Sequence, residues 1–201
     1  MLRIGLVGGL LVASAAVGDE WTLATTAEGM QVETRPAPGS DFEQIRVTRS
    51  LPLAPEKTCA AIWTRDISNE PWLPKGKLLR EAGDERWYYE RVAAPLVNDR
   101  DYTLHVWREG ASDGGCVVRF DLDNSQGPPP GPGVVRMTAL EGSWVVTAAG
   151  ERGSKVVYTL FNDPGGNIPA LLSRSTQRAR AVEWLKMTFA QATRARGAGG
   201  P

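Results

Sequence analysis

The chain has 201 residues, 42% of them hydrophobic and 23% charged, which suits one globular domain with a sizeable core. Lysine plus arginine and aspartate plus glutamate both stand at 23, so no net field favours nucleic acid or a strongly acidic partner. Seven tryptophans are many for this length, but rings with one polar edge suit a core, a ligand cavity or a membrane interface alike.

The first twenty residues, MLRIGLVGGLLVASAAVGDE, read as an export signal. Arg3 supplies the positive start, residues 4–12 an apolar stretch, and Ala13-Ser14-Ala15 the small-residue cleavage pattern. The apolar run is too short for an ordinary membrane span, and no later stretch is longer. The expectation is a signal peptide over 1–18, an exported domain over 19–194 in the periplasm or outside the cell, and a flexible tail over 195–201.

From Trp21 onward the pattern is mostly strand. WTLATTAEGMQVETRPAPG predicts two short extended runs around Glu28-Gly29, a hairpin. DFEQIRVTRSLPL alternates, with Phe42, Gln44, Arg46 and Thr48 on one side and Ile45 and Val47 on the other. APEKTCAAIWTRDI then turns helical, with Pro55 early and Ile62 and Trp63 in its body, and a Pro-bracketed turn around Trp72 follows.

Six further runs are rich in β-branched and aromatic residues: KLLREAG, ERWYYERV, DYTLHVWRE, GCVVRFDLD, VVRMTALEGSWVVTA and SKVVYTLFND. Short polar and glycine-rich connections predict antiparallel neighbours, because parallel strands need long crossovers. GPPPGPG reads as a stiff exposed loop. Two cysteines, Cys59 and Cys116, remain after the leader. Export permits a disulfide between them. Each sits in an apolar segment, however, where buried free thiols are common, so the sequence leaves both a bridge and free thiols open.

After Asn167 the period becomes 3.6. Asn167 is a suitable cap, Pro169 suits the first turn, and a helix is expected from about 169 to 193. Ile168, Leu171, Leu172, Ser175, Ala179, Val182 and Phe189 form one stripe. Asp-Pro-Gly-Gly just before it, residues 163–166, lacks the Lys-Ser/Thr that follows a phosphate cradle and reads as a tight reversal. The plan is α+β: a curved antiparallel sheet, a short helix and one long C-terminal helix. Small residues in mid-stripe, Ser175 and Ala179, leave room for a cavity, unless sheet aromatics fill the gap.

Catalytic patterns are missing. His105, the one histidine, lies in an alternating strand with Tyr102, Leu104 and Val106 on the opposite face, and such a residue is more often structural. There is no GxSxG, HExxH, GxGxxG or Walker loop, and neither cysteine belongs to a CxxC pair, so no catalytic residue, metal or cofactor is expected.

PLVNDRDYTLHVWR at 95–108, GVVRMTALEGSWVVTA at 133–148 and residues 156–189 together resemble the START domains of the helix-grip group, as does PLAPEKTCAAIWTRDISNEPWLP upstream. In order and spacing they are similar to the family's Arg-Asp-aromatic strand, Gly-x-Trp strand and last strand plus C-terminal helix. The resemblance covers roughly 25–193. It implies a sheet wrapped around the long helix, a tunnel for one lipid or similar hydrophobic molecule, transient contact with a membrane surface, a monomeric carrier and no catalysis.

It also implies a site. Tyr88, Glu90, Tyr102, Leu104, Val106, Tyr158, Leu172, Ser175 and Ala179 are the expected ligand-facing residues. Leu96, Val97, Gly165, Gly166, Ile168 and Leu171 are expected at the gate and membrane contact. Many family members place an arginine opposite the carboxylate; the position matching it here is Val106, so Glu90 is protonated, finds another donor such as Arg119 or Tyr158, or points outward. The competing expectation is a helix-grip enzyme of the cyclase or aromatase type acting through His105, Glu90 and Tyr158.

Overall fold

A computed structural model describes residues 20–64, 75–93, 97–111, 114–166 and 168–197, the side chains of 172 and 191–197 excepted. The leader, the turn around Trp72, Leu96 and the Asn167 cap therefore lie outside the described residues.

Among the described residues ten strands form one sheet. They are β1 (Thr22–Ala27), β2 (Met30–Pro36), β3 (Glu43–Leu51), β4 (Lys75–Ala82), β5 (Glu85–Val92), β6 (Arg100–Gly110), β7 (Cys116–Leu122), β8 (Val135–Arg136), β9 (Ala139–Ala149) and β10 (Gly153–Asp163). Two helices, α1 (Pro55–Trp63) and α2 (Ala170–Gly197), complete the α+β, helix-grip plan. The strand order is β1-β2-β3-β10-β9-β7-β6-β5-β4, with antiparallel neighbours throughout; the short β8 pairs in parallel with β6. The first hairpin turns where expected, with Glu28 and Gly29 at φ 51° and 76°, the left-handed pair that matches strand twist.

Alternation decides which face of the sheet is covered. Met30, Val32, Ile45, Val47 and Val156 are all at most 1% exposed and pack beneath the C-terminal half of α2, whose Ala181, Leu185 and Phe189 face them. Arg178 donates twice to Glu43 of β3, at 2.6 and 2.9 Å, and so anchors α2 to the sheet from its third turn onward. The preceding turns, residues 170–177, extend beyond that anchor.

Three expectations need correction, and the open question of the cysteines is answered. The run 134–148 is two strands: the amides of Val135 and Met137 donate to Asp99 and Asp101 carbonyls, drawing β8 to β6 before β9 crosses to β7 and β10. The last helix continues beyond 193 to Gly197, since Arg194, Ala195 and Arg196 are good helix formers, so 195–197 is not tail. Cys59 and Cys116 are bonded, because α1 lies across the start of β7 and brings their Cα atoms to 6.0 Å. Finally, Ser175, Ala179 and Leu171 face solvent, Leu171 at 74% exposure. Among the described residues of the expected stripe, Val182 and Phe189 at its far end pack against the core, and Ile168 at its start lines the cavity.

Candidate functional site

Beneath the first turns of α2 the sheet does not close on the helix, and a cavity of about 660 Å³ lies between them. Strand parity supplies its floor. In β5, Tyr88 and Glu90 point inward; in β6 their cross-strand partners Leu104 and Tyr102 do the same, followed by Val106. Tyr158 of β10 joins them and stacks on its register partner Trp144, ring centres 4.0 Å apart. These are the six sheet residues that alternation and resemblance had pointed to, and the structure brings all six to one cavity.

The Gly-x-Trp pattern has a steric cause. Gly142 is paired with Phe120, and a Cβ there would lie 2.4 Å from that ring and 2.2 Å from the Thr159 carbonyl. Glycine lets the Phe120 ring lie across β9 as part of the cavity wall, beside Trp144.

The roof differs from the expected one. Ser173, Thr176, Gln177, Arg180 and Trp184 of α2 line the cavity. None of them belongs to the apolar stripe, which was taken to mark the inward side. A helix that roofs a lined space with polar side chains breaks that rule. Ser175 and Ala179 lie on its outer side, along a shallow surface depression.

Glu90 is 1% exposed and points inward. It accepts a 2.5 Å hydrogen bond from the Tyr102 hydroxyl, its own cross-strand partner. This bond lowers the desolvation penalty of the carboxyl group. Of the donors expected, Arg119 sits half-exposed, paired with Glu109 at 3.3 Å, and Tyr158 lines the cavity. The position matching the family's arginine is indeed apolar Val106; the cavity's guanidinium groups come instead from Arg100 and Arg180.

His105 does not face the cavity. It is sandwiched between Trp87 and Trp107, ring centres 4.5 and 4.9 Å away, and meets Glu85 at 2.9 Å. His105, Glu90 and Tyr158 therefore form no cluster.

One end of the cavity meets solvent. Val97 both lines it and is 46% exposed, and Leu171 stands exposed on the first turn of α2. The joint between β10 and α2 closes this end. Asp163 Oδ1 accepts from the Gly165 amide at 2.9 Å, and Gly165 and Gly166 take φ of 67° and 71°, open to glycine at little strain. Ile168 and Pro169 then line the cavity.

The Arg-Asp pair on β6 holds this joint, a role the sequence motif did not reveal. Asp101, fully buried, accepts from Arg136 of β8 at 2.7 and 3.1 Å and from the Tyr89 hydroxyl at 3.1 Å. Burial, with that bond second, pushes the Tyr89 hydroxyl above its ordinary pKa. Arg100 turns the other way, donating to the carbonyls of Pro164 and Gly165, each at 3.3 Å, and of Asn98. Burial pulls its pKa below the ordinary arginine value, partly offset by Asp99.

With the geometry in place, the comparisons are informative. The START domain family profile matches residues 14–196, and the chain belongs to that family. An uncharacterized protein of Pseudomonas aeruginosa is 28% identical over 168 residues, 82% of each chain. Human phosphatidylcholine transfer protein is 24% identical over 178 residues, 86% of this chain and 83% of that protein. Among solved structures, a STAR-related lipid transfer protein fragment from Xanthomonas axonopodis superposes with a TM-score of 0.77 at 28% identity, covering 87% of this chain and 99% of that one.

Proposed function

We propose that this protein binds one lipid or similar hydrophobic molecule in the cavity under α2 and carries it between membranes, without transforming it. The observation that carries this reading is the cavity itself: a 660 Å³ space walled by Trp144, Phe120, Leu104 and Val106, inside a START domain. Each methylene taken from water contributes about 0.8 kcal/mol, so one acyl chain in such a space is bound strongly. Carriage rather than chemistry is favoured by the position of His105, away from Glu90 and Tyr158.

An enclosed ligand leaves only if the wall moves, and the turns of α2 ahead of the Arg178 anchor are the part to move. Val97 and Leu171, exposed beside the opening, would meet the bilayer during exchange. The Cys59–Cys116 bond supports an oxidising compartment, in keeping with the leader sequence and with a periplasmic or secreted monomeric carrier. Transfer of a fluorescent lipid between vesicles tests the gate. Leu171→Asp and Val97→Asp each replace an apolar contact worth about 1.5 kcal/mol or more and should slow transfer about tenfold while leaving bound lipid in solution unchanged. Parent-like rates in both variants would reject the membrane-contact role.

A further inference from the structure

The short strand β8 is held by more bonds than two residues of parallel pairing supply. The amides of Val135 and Met137 donate to the Asp99 and Asp101 carbonyls at 2.9 and 3.0 Å, along the start of β6. Pairing of that length is marginal on its own. Side chains reinforce it. Arg136 forks onto the fully buried Asp101 at 2.7 and 3.1 Å and also donates to the Pro128 carbonyl at 2.7 Å. Asn124 clamps β8 to β6. Its amide nitrogen donates to the Met137 carbonyl at 3.0 Å, and its side-chain oxygen accepts from the Thr103 amide at 2.9 Å. The exposed prolines at 128–130 fix φ in the chain that leads into β8, so its approach is stiff.

What this strand faces gives the reinforcement a purpose. A Cβ built on Gly165 would meet the Arg136 carbonyl at 3.3 Å and Val135 Cγ1 at 3.5 Å; on Gly166 it would meet Arg100 Nη2 at 3.5 Å and Val135 Cγ1 at 3.8 Å. Both glycines of the joint therefore rest on Val135. The joint's own bonds hold it loosely: the Gly165 amide reaches only as far as Asp163, and the two bonds from Arg100 are long, at 3.3 Å each. Where the joint sits is thus decided by shape contact with a firmly held strand. Val135 and Arg136 lie outside the cavity wall formed by the described residues, so they act on a ligand through the joint.

We infer that β8 is the seat of the gate. Val135 positions the Gly165–Gly166 joint, Asn124 and Arg136 hold Val135 in place, and the firmness of this seat sets the rate at which ligand leaves. The inference rests on the lipid-binding reading and adds to it the positioning residues that control release. Opening lifts the glycine pair off Val135, while β8 stays fixed and guides the joint back to the same closed position.

Val135→Ala and Asn124→Ala test this in the full mature protein. Hydrogen exchange over residues 164–171 is read by mass spectrometry, beside transfer of pyrene-labelled fatty acid and pyrene-labelled phosphatidylcholine between dioleoyl phosphatidylcholine vesicles. Both variants should speed exchange in that segment about threefold or more, and transfer by a similar factor, with exchange along β3 and β10 at the parent rate. Val135→Thr, which keeps the branched shape, should behave as the parent does. Faster exchange everywhere, in step with a lower urea midpoint, is general destabilisation and overturns the inference. So does an unchanged joint in both alanine variants, or a loosened joint with transfer at the parent rate; lipid binding stands in each case. No transfer of either probe by the parent rejects the lipid-binding reading, and the inference falls with it.

Discussion

The two ends of the cavity are built differently. At the end under α1, attachment is covalent or short. Cys59 is bonded to Cys116, and the buried hydroxyls of Thr58 and Ser154 meet at 2.9 Å. Arg86 and Arg108 cover the Trp63 ring at 4.3 and 4.6 Å, with Arg86 also bonded to the Trp63 carbonyl. At the other end the joint rests on two left-handed glycines and on two 3.3 Å bonds from Arg100 to its carbonyls. The difference teaches how one small domain both retains and releases a ligand: a covalent bond and short contacts fix one end, and longer hydrogen bonds to a glycine joint at the start of α2 close the other.

The comparison is broken most severely at the fixed end. Cys59→Ser with Cys116→Ser opens a covalent loop of 57 residues and should lower stability by about 4 kcal/mol, read as a fall in urea midpoint. Ligand exchange at the mouth should change far less than stability does. Arg136→Ala comes next. It leaves the fully buried Asp101 carboxylate with the Tyr89 hydroxyl alone, at a loss of about 3 kcal/mol. Because β8 backs the joint, this variant should also release ligand faster. Equal stability of parent and variant would show the pair to be dispensable.

Gly165→Ala and Gly166→Ala should each cost about 1–2 kcal/mol, since both glycines sit at positive φ. A Cβ at Gly165 would also lie 3.3 Å from the Arg136 carbonyl. Exchange at the parent rate in both would argue for a static turn. The smallest effect lies at neither end. The Arg46 hydrogen bond holds the Glu33 carboxyl below its ordinary pKa, against an opposing effect of burial. A lowered folded-state pKa contributes stability above the unfolded value, and that contribution disappears as pH falls through the folded one. The loss should begin near pH 4 and stay below about 1 kcal/mol. Arg46→Gln should remove it from acid titrations of stability and leave the mouth untouched.

The sheet was legible because period-2 alternation carries both the strand and its face. ERWYYERV became β5 residue for residue, and the inward parity of Tyr88 and Glu90 followed from it. Motif order named the family, and Asp-Pro-Gly-Gly was read correctly as a reversal. The roof was not legible. Hydrophobic periodicity finds the inward face only where the helix covers a packed core, as at Ala181 and Leu185; over the cavity Thr176, Gln177 and Arg180 face in and Leu171 faces out. The disulfide stayed open for a related reason, since 57 residues of separation carry no information on proximity. Arg100 was noticed as half of a motif, but its reach to Pro164 and Gly165 depends on a contact across more than sixty residues.

The central claim is that the space under α2 holds one lipid or similar hydrophobic molecule. Native mass spectrometry of the mature protein, purified from its own host without detergent, tests it most directly. The account predicts one added hydrophobic molecule per chain, lost on extraction with organic solvent and regained from vesicles. A bare chain that acquires nothing from vesicles would contradict it.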